Sequence, residues 1–133
     1  MFFLFLDPND APAFSDGLGR FESALDLIRQ VDPIMPIGAA ASLVHIARRL
    51  PGLYGGAISL GDVAREMELN YATFMRNADL LSEGGANVRQ LNLLEKGMNP
   101  NNKRARQFRL SDKGLGLLQQ IDEVISGREG SGP

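Results

Sequence analysis

The sequence contains no cysteine and only one histidine, His45, among its 133 residues. The lack of cysteine excludes a disulfide framework, a thiolate metal site and a cysteine redox switch, and it fits a reducing cytoplasm. A single histidine without cysteine cannot build a convincing transition-metal site. We therefore expect a cytoplasmic protein without a metal or cofactor, in which His45 is packed or half-exposed.

Long hydrophobic runs are also missing. The apolar stretch Met1–Leu6 has no basic flank and ends at Asp7-Pro8, so it is too short for a signal peptide or a membrane span. We expect no membrane partner. Apolar residues make up 44% and charged residues 23%, as in one ordinary globular domain. Met1–Leu6 is predicted to pack on the domain or on a partner chain, and its exposure on a monomer would favour a dimer.

The net charge of −2 conceals a local excess of cations. Residues 1–47 have two cations and six acids (net −4), and residues 48–83 have four and five (net −1). Residues 84–110 have six cations and one acid (net +5), and residues 111–133 have two and four (net −2). Because a phosphate backbone responds to charge within a Debye length, residues 84–110 are a candidate nucleic-acid contact in an otherwise acidic chain.

Apolar spacing and capping residues predict five helices. The first spans Leu18–Gln30, and the second follows Pro36. The others are Leu60–Met67 after the cap Ser59, Tyr71 to about Glu83 after the cap Asn70, and a C-terminal helix after the cap Ser111. Their predicted apolar faces are Phe21, Leu25 and Ile28; Ile37, Ala40, Ala41, Val44 and Ala47; Leu60, Val63 and Met67; Phe74, Ala78 and Leu81; and Leu115, Leu118, Ile121 and Ile125. Ile58 is a candidate for a single short strand, and Gly114 and Gly116 are expected only to loosen the last helix.

Alternating residues predict two strands, Gln90–Leu94 and Arg106–Leu110, joined by a loop rich in Gly, Asn and Pro. Two short helices, a tight turn and a basic hairpin predict a mostly α fold with a small β-hairpin wing, a winged helix-turn-helix. In such a fold the second helix enters the major groove, and arginine at the hairpin tip can reach the backbone or minor groove. The predicted parts are an arm (1–16), the winged domain with flanking helices (17–126) and a flexible tail (127–133).

Two stretches, "SLGDVAREMELNYATFMRNADLLSEGG" and "NPNNKRARQFRLSDKGLGLL", resemble the MarR family of winged-helix regulators, in particular its compact phage and mobile-element members. The family's wing reads D-P-x-D-x-R, followed by L-[ST]-x-K-G, and its recognition helix carries T-x-S-R. Thr73 and Arg76 fit that helix motif, with Met75 in place of serine. The residues on the wing pattern are Asn99, Pro100, Asn102, Lys103, Arg104, Leu110, Ser111, Lys113 and Gly114; Asn99 and Asn102 replace its two acids. The resemblance covers roughly residues 33–125.

The resemblance implies a sequence-specific, double-stranded DNA-binding transcriptional regulator that acts as a repressor and a homodimer on two half-sites. The residues expected to contact DNA are Asn70, Tyr71, Thr73 and Arg76 on the recognition helix and Lys103, Arg104 and Arg106 at the hairpin tip, with Arg48 and Arg49 as weaker backbone candidates. No nucleophile, base and orienting group occur as a set, so we expect no enzyme and no catalytic residue. The alternative is a winged-helix interaction module that binds and inhibits a host or partner protein.

Overall fold

The computed structural model describes residues 11–83, 90–99 and 102–128. These residues form six α-helices and one antiparallel β-hairpin, so the fold is mostly α. The elements are α1 (Asp16–Val31), α2 (Ile37–Arg48), α3 (Leu50–Tyr54), α4 (Leu60–Glu66), α5 (Tyr71–Leu81), β1 (Leu94–Asn99), β2 (Asn102–Leu110) and α6 (Asp112–Ser126). The prediction for Met1–Leu6 lies outside the described residues.

The predicted caps of α4, α5 and α6 are confirmed. In each case the cap side chain accepts a hydrogen bond from the N–H three residues later: Asp62 to Ser59, Thr73 to Asn70 and Gly114 to Ser111. Asp62 also accepts from the Ser59 N–H, which completes a capping box. These bonds satisfy amide groups that have no partner within the helix and so fix where each helix begins.

The prediction of a strand at Ile58 is wrong, because the chain turns back on itself there. Residues Leu50–Tyr54 form the short helix α3, and the N–H groups of Ala57 and Ile58 both donate to the Gly52 carbonyl, at 2.9 and 3.2 Å. Ile58 packs against the hydrophobic core. Its hydrogen bonds are therefore used in a local turn and are not available to a strand.

Residues Leu91, Asn92 and Leu93, which we call the bridging segment, lie between α5 and β1. Their N–H groups donate to carbonyls at the C-terminus of α5: Leu91 to Leu80 (3.4 Å), Asn92 to Ser82 (2.9 Å) and Leu93 to Leu81 (2.7 Å). Helix C-termini leave carbonyls without intrahelical partners, and the bridging segment satisfies them. Leu91 and Leu93 are buried, as the predicted strand face requires.

The carbonyl groups of the same segment accept hydrogen bonds from the start of α6. The donors are Lys113 Nζ to Leu91 O (3.1 Å), Ser111 Oγ to Asn92 O (2.6 Å) and the Ser111 N–H to Leu93 O (3.1 Å). The bridging segment thus joins α5 to α6 through its own backbone. With these groups engaged, it has none left for a ladder with another strand.

For this reason the first strand lies further along the chain than predicted, at Leu94–Asn99 and not at Gln90–Leu94. It pairs with β2 from Leu94 opposite Leu110 to Met98 opposite Arg106. The register then shifts, because Asn99 pairs with Asn102. Between these last two pairs β2 contains residues 103–105, whereas β1 contains none, so the outer end of the hairpin is bulged.

The hydrophobic core is formed by α2, α4, α5, the bridging segment, β1, β2 and α6. Its most buried large side chains include Ile46, Val63, Phe74, Leu81, Leu93 and Phe108. The predicted apolar faces of α4 and α5 are therefore confirmed, and so is the inward position of Phe108.

The predicted apolar faces of the flanking helices α1, α2 and α6 are confirmed only in part. In α1, Phe21 is 50% exposed and Leu25 38% exposed, whereas Ala24 is buried and Leu27 and Val31 pack on the core. In α2 the buried apolar residues are Ala39, Leu43 and Ile46, which were not the predicted ones. In α6 the predicted Leu118 and Ile121 do pack against the core, whereas Leu115 and Ile125 are exposed and Leu117 and Val124 are buried instead. These helices carry apolar residues on more than one side, so periodicity alone does not identify the side that faces the core.

Gly114 is needed at its position, contrary to the expectation that it only loosens the helix. A Cβ atom there would lie 2.1 Å from the Leu93 carbonyl oxygen, whereas a Cβ at Gly116 meets nothing within 4 Å. The start of α6 can approach the bridging segment only because position 114 has no side chain.

We predict that Gly114→Ala destabilises the protein by about 2–3 kcal/mol, because the helix and the bridging segment must move apart. Gly116→Ala is the control and should stabilise it by about 0.5–1 kcal/mol, through the higher helix propensity of alanine. Urea unfolding followed by circular dichroism measures both. Equal effects of the two substitutions would contradict the close approach.

Candidate nucleic-acid interface

The first two turns of α5 bring together the four residues predicted on the recognition helix. Phe74, Ala78 and Leu81 fix the buried side of α5. Arg76 lies on the opposite side and is exposed, and Tyr71 is 51% exposed. Arg76 has no ion-pair or hydrogen-bond partner within the described part of the chain, so its guanidinium is available to a ligand.

Asn70 and Thr73 form the N-terminal cap of α5. Asn70 Oδ1 accepts a hydrogen bond of 2.8 Å from the Thr73 N–H. Bidentate recognition of adenine uses both the oxygen and the nitrogen of an asparagine amide. An amide oxygen can accept a second hydrogen bond, so Asn70 can cap the helix and still contact a base. Thr73 is half-buried beside it.

Met75 stands where the family motif has serine, and it belongs to the core, with an exposed fraction of 8%. This position of α5 therefore contributes packing and not a contact to a ligand. The outer face of the helix is formed by its neighbours, including Ala72 and Arg76, which are exposed.

The prediction that Lys103 and Arg104 lie in a long loop between the strands is wrong. The backbone of both residues, like that of Arg106, belongs to β2, because β1 extends to Asn99 and pairs with it. Lys103 and Arg104 fall in the bulged part of the strand, between the partners of Met98 and Asn99. A bulge changes the local twist of the backbone, so this end of β2 is irregular.

Lys96 of β1 joins the hairpin to α5, which the sequence did not indicate. Its Nζ lies 2.8 Å from Asp79 Oδ1 and 3.5 Å from Glu83 Oε1. The hydrogen bond to Asp79 raises the pKa of Lys96 above its ordinary value, against the opposing effect of burial. The spacing of Asp79 and Glu83 indicates two acids close together near the end of a helix, but nothing in the sequence connects them to Lys96.

The sole histidine connects α2 to α4, together with Arg49. His45 Nε2 lies 2.7 Å from Glu66 Oε1, and Arg49 Nη2 lies 3.1 Å from Glu66 Oε2. The His45 side chain is 25% exposed, which confirms the half-exposed position expected for it. Arg49 is engaged by Glu66, so of the two weaker backbone candidates Arg48 is the one that remains exposed and unpaired among the described residues.

Comparison of the chain with protein-family models, curated proteins and solved structures finds no match. In residues 11–83, 90–99 and 102–128 no helix is long and apolar enough to cross a bilayer. The same residues contain no group of three or more His, Cys, Asp or Glu side chains placed to hold a metal ion.

We predict that Glu66→Gln destabilises the protein most near neutral pH and progressively less as the solution becomes acidic. The hydrogen bond with His45 holds the pKa of Glu66 below its ordinary value of 4.5, and the charge of Arg49 lowers it further, against desolvation. A depressed pKa in the folded state contributes stability above that ordinary value, and the contribution is lost as the pH falls through the folded-state pKa.

Urea unfolding of both proteins between about pH 7 and about pH 3 measures this difference. Glu22→Gln is the control, since Glu22 makes no ion pair in the described part of the chain. If the difference in free energy of unfolding between wild type and Glu66→Gln is the same at every pH, the charge of Glu66 does not stabilise the fold.

Proposed function

We propose that this protein is a sequence-specific double-stranded DNA-binding regulator of the winged-helix type, acting as a repressor. In this proposal α4 and α5 are the helix-turn-helix pair, α5 reads bases in the major groove, and the β1–β2 hairpin is the wing. Two features together carry the proposal: Arg76 is exposed on α5 and has no partner among the described residues, and a basic hairpin is attached to the same helix through Lys96.

The charges around α5 support this proposal. Asp79, in the last turn of α5, and Glu83, just after the helix, are both engaged by Lys96. Among the described residues Arg76 has no partner and remains a free cation on the outer face of α5, near a helix N-terminus that favours phosphate through its dipole and its N–H groups. Residues 84–110 add a net charge of +5, which suits contact with the DNA backbone.

Homodimer formation is part of the proposal, and the flanking helices support it. Several apolar residues of these helices are more than a third exposed: Leu18, Phe21 and Leu25 on α1, Val44 on α2, and Leu115 and Ile125 on α6. Val44, Ala47, Leu118, Ile121 and Ile125 also line a groove between α2 and α6. Apolar surface of this extent is typical of an interface, and a second copy of the chain would bury it.

The same surface favours one alternative function, a module that binds and inhibits a partner protein. The acidic residues 1–47, with a net charge of −4, would assist such a contact. This alternative ranks second, because it gives no role to the basic hairpin or to the unpaired Arg76.

We predict that the purified protein binds a pool of duplex DNA with an affinity that falls steeply with salt. Fluorescence anisotropy across a salt series measures this. Lys103→Ala/Arg104→Ala should flatten the slope of log K against log salt by about two, and Arg76→Ala by about one, since each phosphate contact contributes about 0.9. Arg76→Ala should also weaken a selected site more than random DNA if the guanidinium reads a base.

Arg20→Ala is the matched control, because Arg20 is an exposed cation of α1 without a partner in the described residues. It should leave the slope unchanged. Absence of binding at low salt would rule out the regulator and direct attention to a protein partner.

We predict that the free protein is a dimer by light scattering after size-exclusion chromatography, and that Phe21→Glu/Leu25→Glu makes it a monomer. Two carboxylates in an apolar interface should raise the dissociation constant on the order of 100-fold or more. Tyr54→Glu is the control, since Tyr54 is 48% exposed on α3, which is not one of the flanking helices α1, α2 and α6. A wild-type protein that is monomeric at high concentration would exclude this interface.

A further inference from the structure

We propose that Lys96 is a positioning residue of the DNA-binding surface, which holds the β1–β2 hairpin at a fixed angle to α5 by bridging Asp79 and Glu83. This inference rests on the proposed function, because a fixed angle matters if α5 and the hairpin must contact one DNA duplex together. No ligand is assigned to Lys96 itself.

The position of Lys96 in the hairpin directs its side chain towards α5. Lys96 pairs with Phe108 across the two strands, and residues directly opposite each other project from the same face of a sheet. Phe108 is buried in the core, so the Lys96 side chain leaves the sheet on the core side and reaches the edge where α5 ends. It is 29% exposed and Asp79 is 36% exposed, which reduces the screening of the pair by water.

Each strand of the hairpin has its own anchor at this level. The bridging segment fixes the point where β1 begins, and Leu94 packs into the core there. Further along the hairpin, Phe108 packs into the core from β2, and Lys96 lies directly opposite it on β1. The Lys96 bridge is the ion pair that connects either strand to the C-terminal end of α5 within the described residues, and it holds β1 at the level where Phe108 holds β2.

The positive charge of Lys96 also offsets part of the negative charge of Asp79 and Glu83. Asp79 and Glu83 both lie within reach of Lys96 Nζ at the end of α5, and their negative charges would repel each other and an approaching phosphate. A purely electrostatic view therefore predicts that Asp79→Asn strengthens DNA binding, because it removes a negative charge and releases Lys96. A positioning role predicts the opposite, since the hairpin loses its tie to α5. The sign of the effect separates the two.

The experiment measures DNA affinity by anisotropy and amide hydrogen exchange of the free protein, for Asp79→Asn, Lys96→Met and the double variant. Asp79→Asn should weaken DNA binding about tenfold in spite of its charge, and the double variant should bind no more weakly than Lys96→Met alone, because both changes remove one interaction. Exchange of the β1 and β2 amides should become about tenfold faster in all three variants, whereas α2 and α4 stay protected.

Arg109→Met is the matched control, since Arg109 is an exposed cation of β2 with no partner in the described part of the chain. It should leave hairpin exchange unchanged. Asp79→Asn binding DNA as tightly as wild type, or tighter, overturns the positioning role, and so does unchanged hairpin exchange in that variant. If wild type binds no DNA, the proposed function fails, while the exchange data on the free protein still decide whether Lys96 holds the hairpin.

Discussion

The hydrogen bonds of the bridging segment are the constraint on which the rest of the structure depends. Leu91, Asn92 and Leu93 donate to the end of α5 and accept from the start of α6. Three residues therefore fix where one helix ends, where the next begins and where the hairpin leaves the core. The approach is so close that the facing position in α6 must be Gly114. The bridging segment takes part only through its backbone groups, whereas Ser111 and Lys113 donate from their side chains, and together these contacts set how α5, the hairpin and α6 are placed.

Local features of the structure could be predicted from the sequence, and tertiary ones could not. The starts of α4, α5 and α6 were predictable, because each cap bonds to an amide three residues away. The position of β1 was not, since the partners of the bridging segment lie on two helices, one of them some twenty residues further along the chain. Lys96 was missed for the same reason. Its ion pairs are with acids in another part of the chain, and an alternating strand pattern does not reveal them.

The apolar faces of the helices show a second limit of what the sequence can predict. The central helices α4 and α5 each carry one apolar side, and that side is buried. The flanking helices carry more than one, and the side with the clearer spacing on α1, which includes Phe21 and Leu25, is largely exposed. Periodicity reports that a face is buried against something, but it does not tell the chain's own core from a neighbouring molecule. The predicted core residues of these helices are informative even where the prediction is wrong, because they mark apolar surface that is exposed in the part of the chain that the structure describes.

The register shift divides the hairpin into two parts, a regularly paired base and a bulged tip. Insertions and deletions should disturb the base more than the tip. The regular pairs from Leu94 to Met98 hold the base, whereas residues 103–105 lie beyond them, opposite no additional residues of β1. Residues gained or lost at this place alter the reach of the hairpin and leave the pairing below it intact. The length of the tip can therefore change, in evolution or by design, while the contacts that hold the base of the hairpin against α5 and α6 stay the same.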